Sequence, residues 1–261
     1  GNEQGYGRYL FMAKGCCEMK DIGSLMPLYD EDLVESQSCP HPELQEDLTL
    51  FSLCREALYA VGERLGATEK KVLIPAYTCD TVIIPFVELG WTCLYYPVDL
   101  QLRIDTRAVE KMYEKHKPSL IVVHPYYGKD LNESEIKMLE RLHGLGCKVV
   151  LDKTQCIFST QRLSCVDYYV GSYRKWFAIP DGGYLWSVES SRDCYSAKEE
   201  YDDFVSLQQD AMYLRGRYYR TSDEELKAIS IRMNKMAEKM IDYHITPHGM
   251  SAFSKVLLRQ S

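Results

Sequence analysis

"PSLIVVHPYYGKDLNESEIKMLERLHGLGCKVVLDKTQC", residues 118–156, holds the pattern that decides the fold of this chain. Two apolar runs, at 120–123 and 149–151, flank a charged segment in which apolar residues recur at helical spacing. Neither run alternates apolar and polar residues, which is typical of strands covered on both faces of a sheet. The stretch therefore predicts a strand, a helix and a second strand parallel to the first.

The same alternation extends over residues 50–190. It predicts an α/β fold with a mostly parallel sheet flanked by helices, in three α/β/α layers. We expect three segments along the chain. They are an irregular N-terminal stretch at 1–45, a large domain at 46–195, and a helical segment at 196–261 that leads toward a further small domain.

The first predicted helix covers "LFSLCREALYAVGERLG", residues 50–66. Ser52 is its predicted N-cap, because a serine hydroxyl accepts a hydrogen bond from the free N–H groups of a first helical turn. Glu56 in the first turn and Gly66 at the end agree with this assignment. Polar residues in such folds gather where parallel strands end. Four stretches qualify, at 77–79, 124–128, 152–155 and 172–175.

Composition excludes several classes of function. The formal net charge is −7, from 31 basic and 38 acidic residues, which argues against nucleic acid as a partner. No apolar run approaches the roughly 20 residues of a membrane span. The first residues do not resemble an export signal, so we expect a cytoplasmic protein.

The ten cysteines are predicted to be reduced thiols, since five of them lie in or beside apolar segments, where a free cysteine behaves as a small hydrophobe. A zinc site formed by Cys16, Cys17, Cys39 and His41 is the alternative. No C-x-x-C pair supports it.

Asp152 and Lys175 are the central candidates, because each follows an apolar strand and the two strands are expected to be neighbours. A buried carboxylate needs a cationic partner, so one interpretation is a structural ion pair. The other is a site for pyridoxal phosphate (PLP), which needs a lysine for its Schiff base and an anion opposite its pyridine nitrogen. His124, at a third strand end, is predicted to form hydrogen bonds rather than to act as a base.

A PLP site also needs groups that hold a phosphate and a phenolic oxygen. Ser172, three residues before the lysine, is a candidate phosphate donor, and Gln155 is a candidate partner for the phenolic oxygen. The start of the first helix offers an anion site. It contains Ser52, Cys54 and Arg55.

These elements together resemble the fold-type I PLP enzymes, and within them the DegT/DnrJ-type sugar aminotransferases. The resemblance rests on "IPAYTC", "IVVHPYYG", Asp152-x-x-Gln155 and Ser172-x-x-Lys175 followed by "PDGG", and it covers about residues 45–190. It implies a transaminase with an internal aldimine on Lys175 and with Asp152 beside the ring nitrogen. It also implies a keto acceptor, such as a nucleotide-linked keto sugar, and a homodimer.

The chain departs from this family at several positions. The residue that stacks on the ring is often aromatic, whereas this chain offers Tyr77 or Cys79. Pro125 stands where many relatives have Asn or His, and about a hundred further residues usually form a small domain. A PLP-fold binding or regulatory protein without turnover is therefore the alternative. A nucleotide-binding Rossmann domain is disfavoured, because no G-x-G-x-x-G follows the early strands.

Overall fold

A computed structural model describes residues 25–30, 48–66, 69–187, 201–241 and 244–260. Strands and helices alternate as far as residue 152. Two further strands then follow with only a 3₁₀ turn before each of them, and three helices come last. The strands are β1 (Thr49–Phe51), β2 (Lys71–Pro75), β3 (Thr92–Tyr96), β4 (Leu120–Val123), β5 (Lys148–Asp152), β6 (Tyr168–Ser172) and β7 (Gly183–Ser187). The helices are α1 (Cys54–Leu65), α2 (Asp80–Glu88), α3 (Thr106–His116), α4 (Glu133–Gly144), α5 (Asp202–Thr221), α6 (Glu224–Met240) and α7 (Ala252–Gln260).

The seven strands form one sheet in the order β1-β7-β6-β5-β4-β2-β3. Strands β2 to β6 are parallel to one another, whereas β7 runs antiparallel to both β6 and β1. Parallel neighbours end at the same edge of a sheet, so the carboxyl ends of β4, β5 and β6 lie side by side. The predicted α/β fold with a mostly parallel sheet is confirmed.

Both faces of the sheet are covered, which explains why its strands are apolar runs. On β4, Ile121 and Val123 pack into a core with α3 and α4, while Leu120 and Val122 pack into a second core with α1 and α2. Alternate residues of a strand point to opposite faces, so every position must be apolar. The layers are therefore helix, sheet and helix, as predicted.

The start of the first predicted helix is a correction. Residues Thr49–Phe51 form strand β1, which pairs with β7, and α1 begins only at Cys54 with Leu53 as its N-cap. Ser52 therefore lies one residue before the N-cap, in the turn after β1, where its backbone N–H donates to the carbonyl of His248 and its carbonyl accepts from Gly182 N–H. Instead, the Glu56 carboxylate accepts from the N–H of Leu53.

The last three helices fit the predicted helical segment, and α5 and α6 pack against each other. The Ser230 hydroxyl donates to the Ala211 carbonyl at 2.8 Å, and Gln208 Nε2 donates to Asn234 Oδ1 at 3.0 Å. Leu28 lies against α5, where a Cβ on Gly216 would meet the Leu28 carbonyl at 2.3 Å. None of the described helices is long and apolar enough to cross a membrane.

Three predictions lie wholly or partly outside the described residues. The irregular stretch at 1–45 is described only at 25–30, and the boundary at 195/196 falls in an undescribed range. The four candidate zinc ligands also lie outside, while the described part of the chain contains no group of three or more metal-binding side chains. The segment boundaries therefore stay predictions.

Candidate functional site

Three strand ends meet at one pocket. Strands β4, β5 and β6 are each followed within two residues by a single 3₁₀ turn, at Tyr126–Gly128, Lys153–Gln155 and Tyr173–Lys175. The pocket lies between these turns and the N-terminus of α1. Seven of the nine predicted site residues line it, namely Cys54, Arg55, Cys79, Asp152, Gln155, Ser172 and Lys175.

Asp152 is the buried anion of the pocket, with 3% of its surface exposed. Its Oδ2 lies 3.3 Å from His124 Nδ1, and its Oδ1 accepts from the backbone N–H of Thr154 at 2.8 Å. Burial by itself raises the pKa of this carboxyl. The charge of a protonated His124 and the hydrogen bonds from His124 and Thr154 outweigh burial, so the pKa of Asp152 lies below its ordinary value.

His124 connects this anion to a third strand end. Its Nε2 lies 2.8 Å from the Thr78 hydroxyl, and the ring edge contacts Tyr126, whose hydroxyl donates to the carbonyl of Tyr77. Both ring nitrogens therefore have partners, which confirms the prediction that His124 forms hydrogen bonds at a strand end. The imidazole is fixed in orientation, and with it the carboxylate.

Lys175 lines the same pocket from the turn after β6, and its side chain is exposed. The turn is held by the N–H of Tyr173, which donates to the Gly182 carbonyl, and by Trp176 Nε1, which donates to the Thr154 carbonyl at 2.7 Å. Within the described residues no ion pair joins Lys175 to a carboxylate. The interpretation of Asp152 and Lys175 as a structural ion pair is therefore wrong, because the side chain that contacts the Asp152 carboxylate is His124.

Gln155 has a fixed amide orientation. Its Oε1 accepts from the backbone N–H of Tyr127 at 3.2 Å, which leaves the NH₂ end as the donor in the pocket. Tyr127 has φ 50° and ψ 40°, a left-handed conformation that is uncommon for a bulky residue. The strained turn thus presents the N–H group that orients Gln155.

The N-terminus of α1 forms the opposite wall. The first N–H groups of a helix have no partner within it, so this end attracts anions. Gly183 allows the close approach of β7, because a Cβ there would lie 2.4 Å from the Leu53 carbonyl carbon and 2.5 Å from Cys54 N. Burial, with Asp152 adding to it, raises the pKa of the Cys54 thiol, so Cys54 lines this wall as a neutral thiol.

Two of the predicted site residues do not line the pocket. Ser52 is fully buried and lies by the Asp181 carboxylate, where its hydroxyl acts against the rise of the Asp181 pKa that burial causes. Tyr77 is 55% exposed and its hydroxyl lies 3.3 Å from that of Tyr127. Cys79 lines the pocket at the N-cap of α2.

The sequence interpretation assigned no role to several residues that line the pocket, among them Thr78, Thr154 and Arg174. Thr78 and Thr154 carry hydrogen bonds to His124 and Asp152, and Arg174 forms an ion pair with Glu238 of α6 at 3.0 Å. The position of Thr78 at a predicted strand end was the available indication. Thr154 and Arg174 also lie in predicted strand-end stretches, but the ion pair of Arg174 was not predictable, because its partner lies 64 residues away on an element whose packing the sequence does not show.

Arg55 also reaches α6. Its guanidinium donates to the Ile241 carbonyl at the C-terminal end of that helix, at 3.0 Å, although its side chain borders the pocket. The charge of Arg55 is therefore shared between the pocket and a helix end.

Comparisons with solved structures return enzymes of related architecture at low similarity. Histidinol-phosphate aminotransferase from Clostridium acetobutylicum is 16% identical with a TM-score of 0.45, over 54% of this chain and 45% of that one. NtdA from Bacillus subtilis, solved with bound cofactor PMP, is 19% identical with a TM-score of 0.48, over 55% and 33%. Aminotransferase TlmJ from Streptoalloteichus hindustanus is 22% identical with a TM-score of 0.46, over 55% and 41%.

The chain spans less than half the length of each of these structures. No family model and no curated protein matches it. Likenesses of this degree do not define the chemistry of the pocket, which depends on its own side chains.

Proposed function

We propose that this chain binds PLP and acts as a PLP-dependent aminotransferase. The observation that carries the proposal is the arrangement of Lys175 and the Asp152–His124 pair around one pocket that faces the N-terminus of α1. An exposed primary amine, a buried carboxylate held in its ionised form and a helix N-terminus are the three groups that a pyridine aldehyde phosphate requires. The residues present therefore fit this cofactor.

When bound, PLP supplies an electron sink that stabilises negative charge at the substrate carbon beside the amine. Lys175 holds the cofactor and moves a proton to and from that carbon. Asp152 stays ionised because His124 and Thr154 stabilise its charge, and it keeps a proton on the ring nitrogen opposite it. The hydrogen bond between the Thr78 hydroxyl and His124 fixes the imidazole, so the carboxylate does not turn away.

The remaining pocket residues are assigned to binding. The N-terminus of α1 with Cys54 and Arg55, together with Ser172, takes the phosphate. The Gln155 amide donates to the phenolic oxygen. Cys79, which lines the pocket, is assigned to cover the ring face, with Tyr77 two residues earlier as the other candidate. Ser52 contributes through Asp181 and the turn that ends at Gly183, rather than by direct contact.

The finer parts of the proposal follow from the family that the sequence resembles. They are a DegT/DnrJ-type transfer of an amino group to a keto acceptor such as a nucleotide-linked keto sugar, and a site completed in a homodimer. Light scattering of the purified chain tests the dimer. A protein that stays monomeric while it binds PLP would contradict the proposal that the site is completed in a homodimer.

Incubation with PLP followed by borohydride reduction tests the proposal. Peptide mass spectrometry should find one reduced cofactor on Lys175, and the violet absorption band of the bound cofactor should be absent in Lys175→Ala. Lys111→Ala, an exposed lysine of α3, is the matched control. If the band forms but no amino donor bleaches it, the chain is a PLP-binding protein without turnover.

A further inference from the structure

Helix α6 carries an apolar stripe. Its members recur at alternating spacings of three and four residues, which places them along one side of the helix. They are Leu226, Ile229, Met233, Met236 and Met240. Two leucines of α5 repeat with the same period of seven residues, namely Leu207 and Leu214. We call these seven residues together the outer face.

The contacts between α5 and α6 show which way the outer face points. Gln208 Nε2 donates to Asn234 Oδ1, and the Ser230 hydroxyl donates to the Ala211 carbonyl, so the two helices run antiparallel. Gln208 and Asn234 also line a cavity with Lys175, which places this side of the helix pair toward the sheet. With about 3.6 residues per turn, the stripe and the two leucines fall on the opposite side of the pair. The outer face therefore points away from the proposed PLP pocket.

The described core does not cover the outer face. Met236 is 58% exposed and Met240 is 37% exposed. The other members of the stripe are half-buried and, like Leu214, belong to none of the hydrophobic clusters that the described residues form. Contact of apolar groups with water is unfavourable, so an apolar patch of this extent on a surface marks an interaction site.

Charged residues border the outer face with the same period of seven. On the edge of α5 that lies away from α6 they are Asp203, Asp210 and Arg217, and on the corresponding edge of α6 they are Glu225, Arg232 and Lys239. All six are exposed, and none of them forms an ion pair with another described residue. Every residue of one edge is level with an opposite charge on the other edge. In the register of Gln208 with Asn234, the level pairs are Asp203 with Lys239, Asp210 with Arg232, and Arg217 with Glu225.

We propose that the outer face binds a second copy of this chain, so that two α5/α6 helix pairs form a four-helix bundle about a two-fold axis parallel to the helices. Such an axis sets α5 of one copy over α6 of the other at the same height. The two apolar faces then cover each other. Each charged edge of α5 meets the edge of α6 from the other copy, and all three level pairs join opposite charges twice.

The order of the charges selects this axis and this occupant. A two-fold axis across the middle of the helices would place Asp210 opposite Asp210 and Arg232 opposite Arg232, and like charges repel. An anionic membrane surface would attract the basic edge of α6, but Asp203 and Asp210 on the other edge would oppose it. A second copy supplies a complement to both edges.

The mass of the purified chain in sedimentation velocity, measured over a series of concentrations, tests the proposal. Met236→Glu sets a carboxylate into the apolar contact from both copies, so self-association should weaken about 100-fold or more. The mass should then halve, from dimer to monomer or from tetramer to dimer. Val87→Glu on α2 alters a residue of matching exposure, 57%, and should leave the mass unchanged. Both residues lie on the surface, so neither change should unfold the protein.

Three outcomes would overturn the proposal. They are a chain that stays monomeric at every concentration, a Met236→Glu protein with the mass of the unchanged chain, and a monomer that instead sediments with anionic vesicles. The last result would assign the outer face to a membrane.

A charge exchange tests the axis. Asp210→Arg and Arg232→Asp each set like charges against one another twice, so each should weaken self-association about tenfold. The double variant should restore it, because the opposite charges are then paired again. These two side chains lie on opposite edges of one helix pair, so a role within a single copy would give no such rescue. Failure of the double variant to recover would refute the four-helix arrangement.

Cofactor uptake separates this proposal from the proposed function. Met236→Glu should take up PLP as the unchanged chain does, because the outer face points away from the pocket. If neither protein takes up PLP, the proposed function fails, and the masses of the two proteins still decide whether the outer face binds a second copy.

Discussion

Asp152 and Asp181 are both buried aspartates at turns beside the sheet, but their neighbours give them opposite properties. Asp152 faces a histidine and a backbone N–H, which hold its pKa below the ordinary value. Asp181 accepts hydrogen bonds from Ser251 and Ser254 at the start of α7, and burial raises its pKa in spite of these hydroxyls. One carboxylate is thus kept charged at the pocket, and the other anchors a helix.

The difference shows that the neighbours of a buried aspartate, rather than the residue type, determine the direction of its pKa shift. Both aspartates belong to motifs on which the family resemblance rests. Asp152 is the first residue of Asp-x-x-Gln, and Asp181 is the second residue of "PDGG". Only the first lines the pocket. A histidine and a backbone N–H lower the pKa of the buried Asp152 carboxyl, whereas hydroxyls do not offset the rise that burial causes at Asp181.

The largest expected effect comes from Asp152→Asn. A neutral amide cannot hold a proton on the cofactor ring nitrogen, so the half-reaction with an amino donor should slow roughly 10²–10³-fold. Single-turnover absorption measurements give this rate. Asp210→Asn, on the exposed side of α5, is the control. An unchanged rate in Asp152→Asn would contradict the proposal that Asp152 acts in the reaction.

Gly183→Ala should destabilise the packing of β7 against the N-terminus of α1. The added Cβ meets backbone atoms of Leu53 and Cys54 closer than any real contact allows, so unfolding should become easier by about 1–3 kcal/mol. Denaturant titration measures the change. Gly144→Ala at the end of α4 has open space around it and should be neutral or slightly stabilising. Equal changes in the free energy of unfolding for both variants would contradict the close approach of Gly183 to the backbone of Leu53 and Cys54.

Asp181→Ala should destabilise the protein with little effect on the pocket. The Ser251 N–H and the Ser254 hydroxyl lose their acceptor in a buried position, which costs about 1–3 kcal/mol. The cofactor half-reaction should proceed at close to the original rate. A loss of reaction comparable to that of Asp152→Asn would place Asp181 in the chemistry.

The smallest expected effect is in the pH dependence of stability. The lowered pKa of Asp152 means that its stabilisation is present above the unfolded-state pKa, about 3.9, and is lost as the pH falls through the folded-state pKa. The raised pKa of Asp181 means the reverse: its contribution is complete at low pH and is lost as the pH rises through that pKa. Denaturant titrations from pH 3 to pH 6 give the free energy of unfolding at each pH. The slope of this free energy against pH should change in opposite directions in Asp152→Asn and Asp181→Asn. Equal slopes would contradict the comparison.

The sequence predicted the alternating strands and helices well, because a parallel sheet requires apolar runs that are visible without a structure. It failed at β1, since three residues of strand at 49–51 are too short to separate from the helix that follows. It predicted that Asp152, Gln155 and Lys175 follow the ends of strands, and the structure has all three line one pocket. It did not show Arg174, Gln208 or Glu238 as neighbours, because their proximity depends on how α5 and α6 pack beside the sheet.

Reduction of the PLP-treated protein with borohydride, followed by peptide mapping, tests the central claim most directly. Our account predicts one reduced cofactor, attached to Lys175 and to no other lysine, and its loss in Lys175→Ala with uptake unchanged in Lys111→Ala. Labelling spread over several exposed lysines, or equal labelling of the Lys175→Ala protein, would contradict the claim that this pocket is a PLP site.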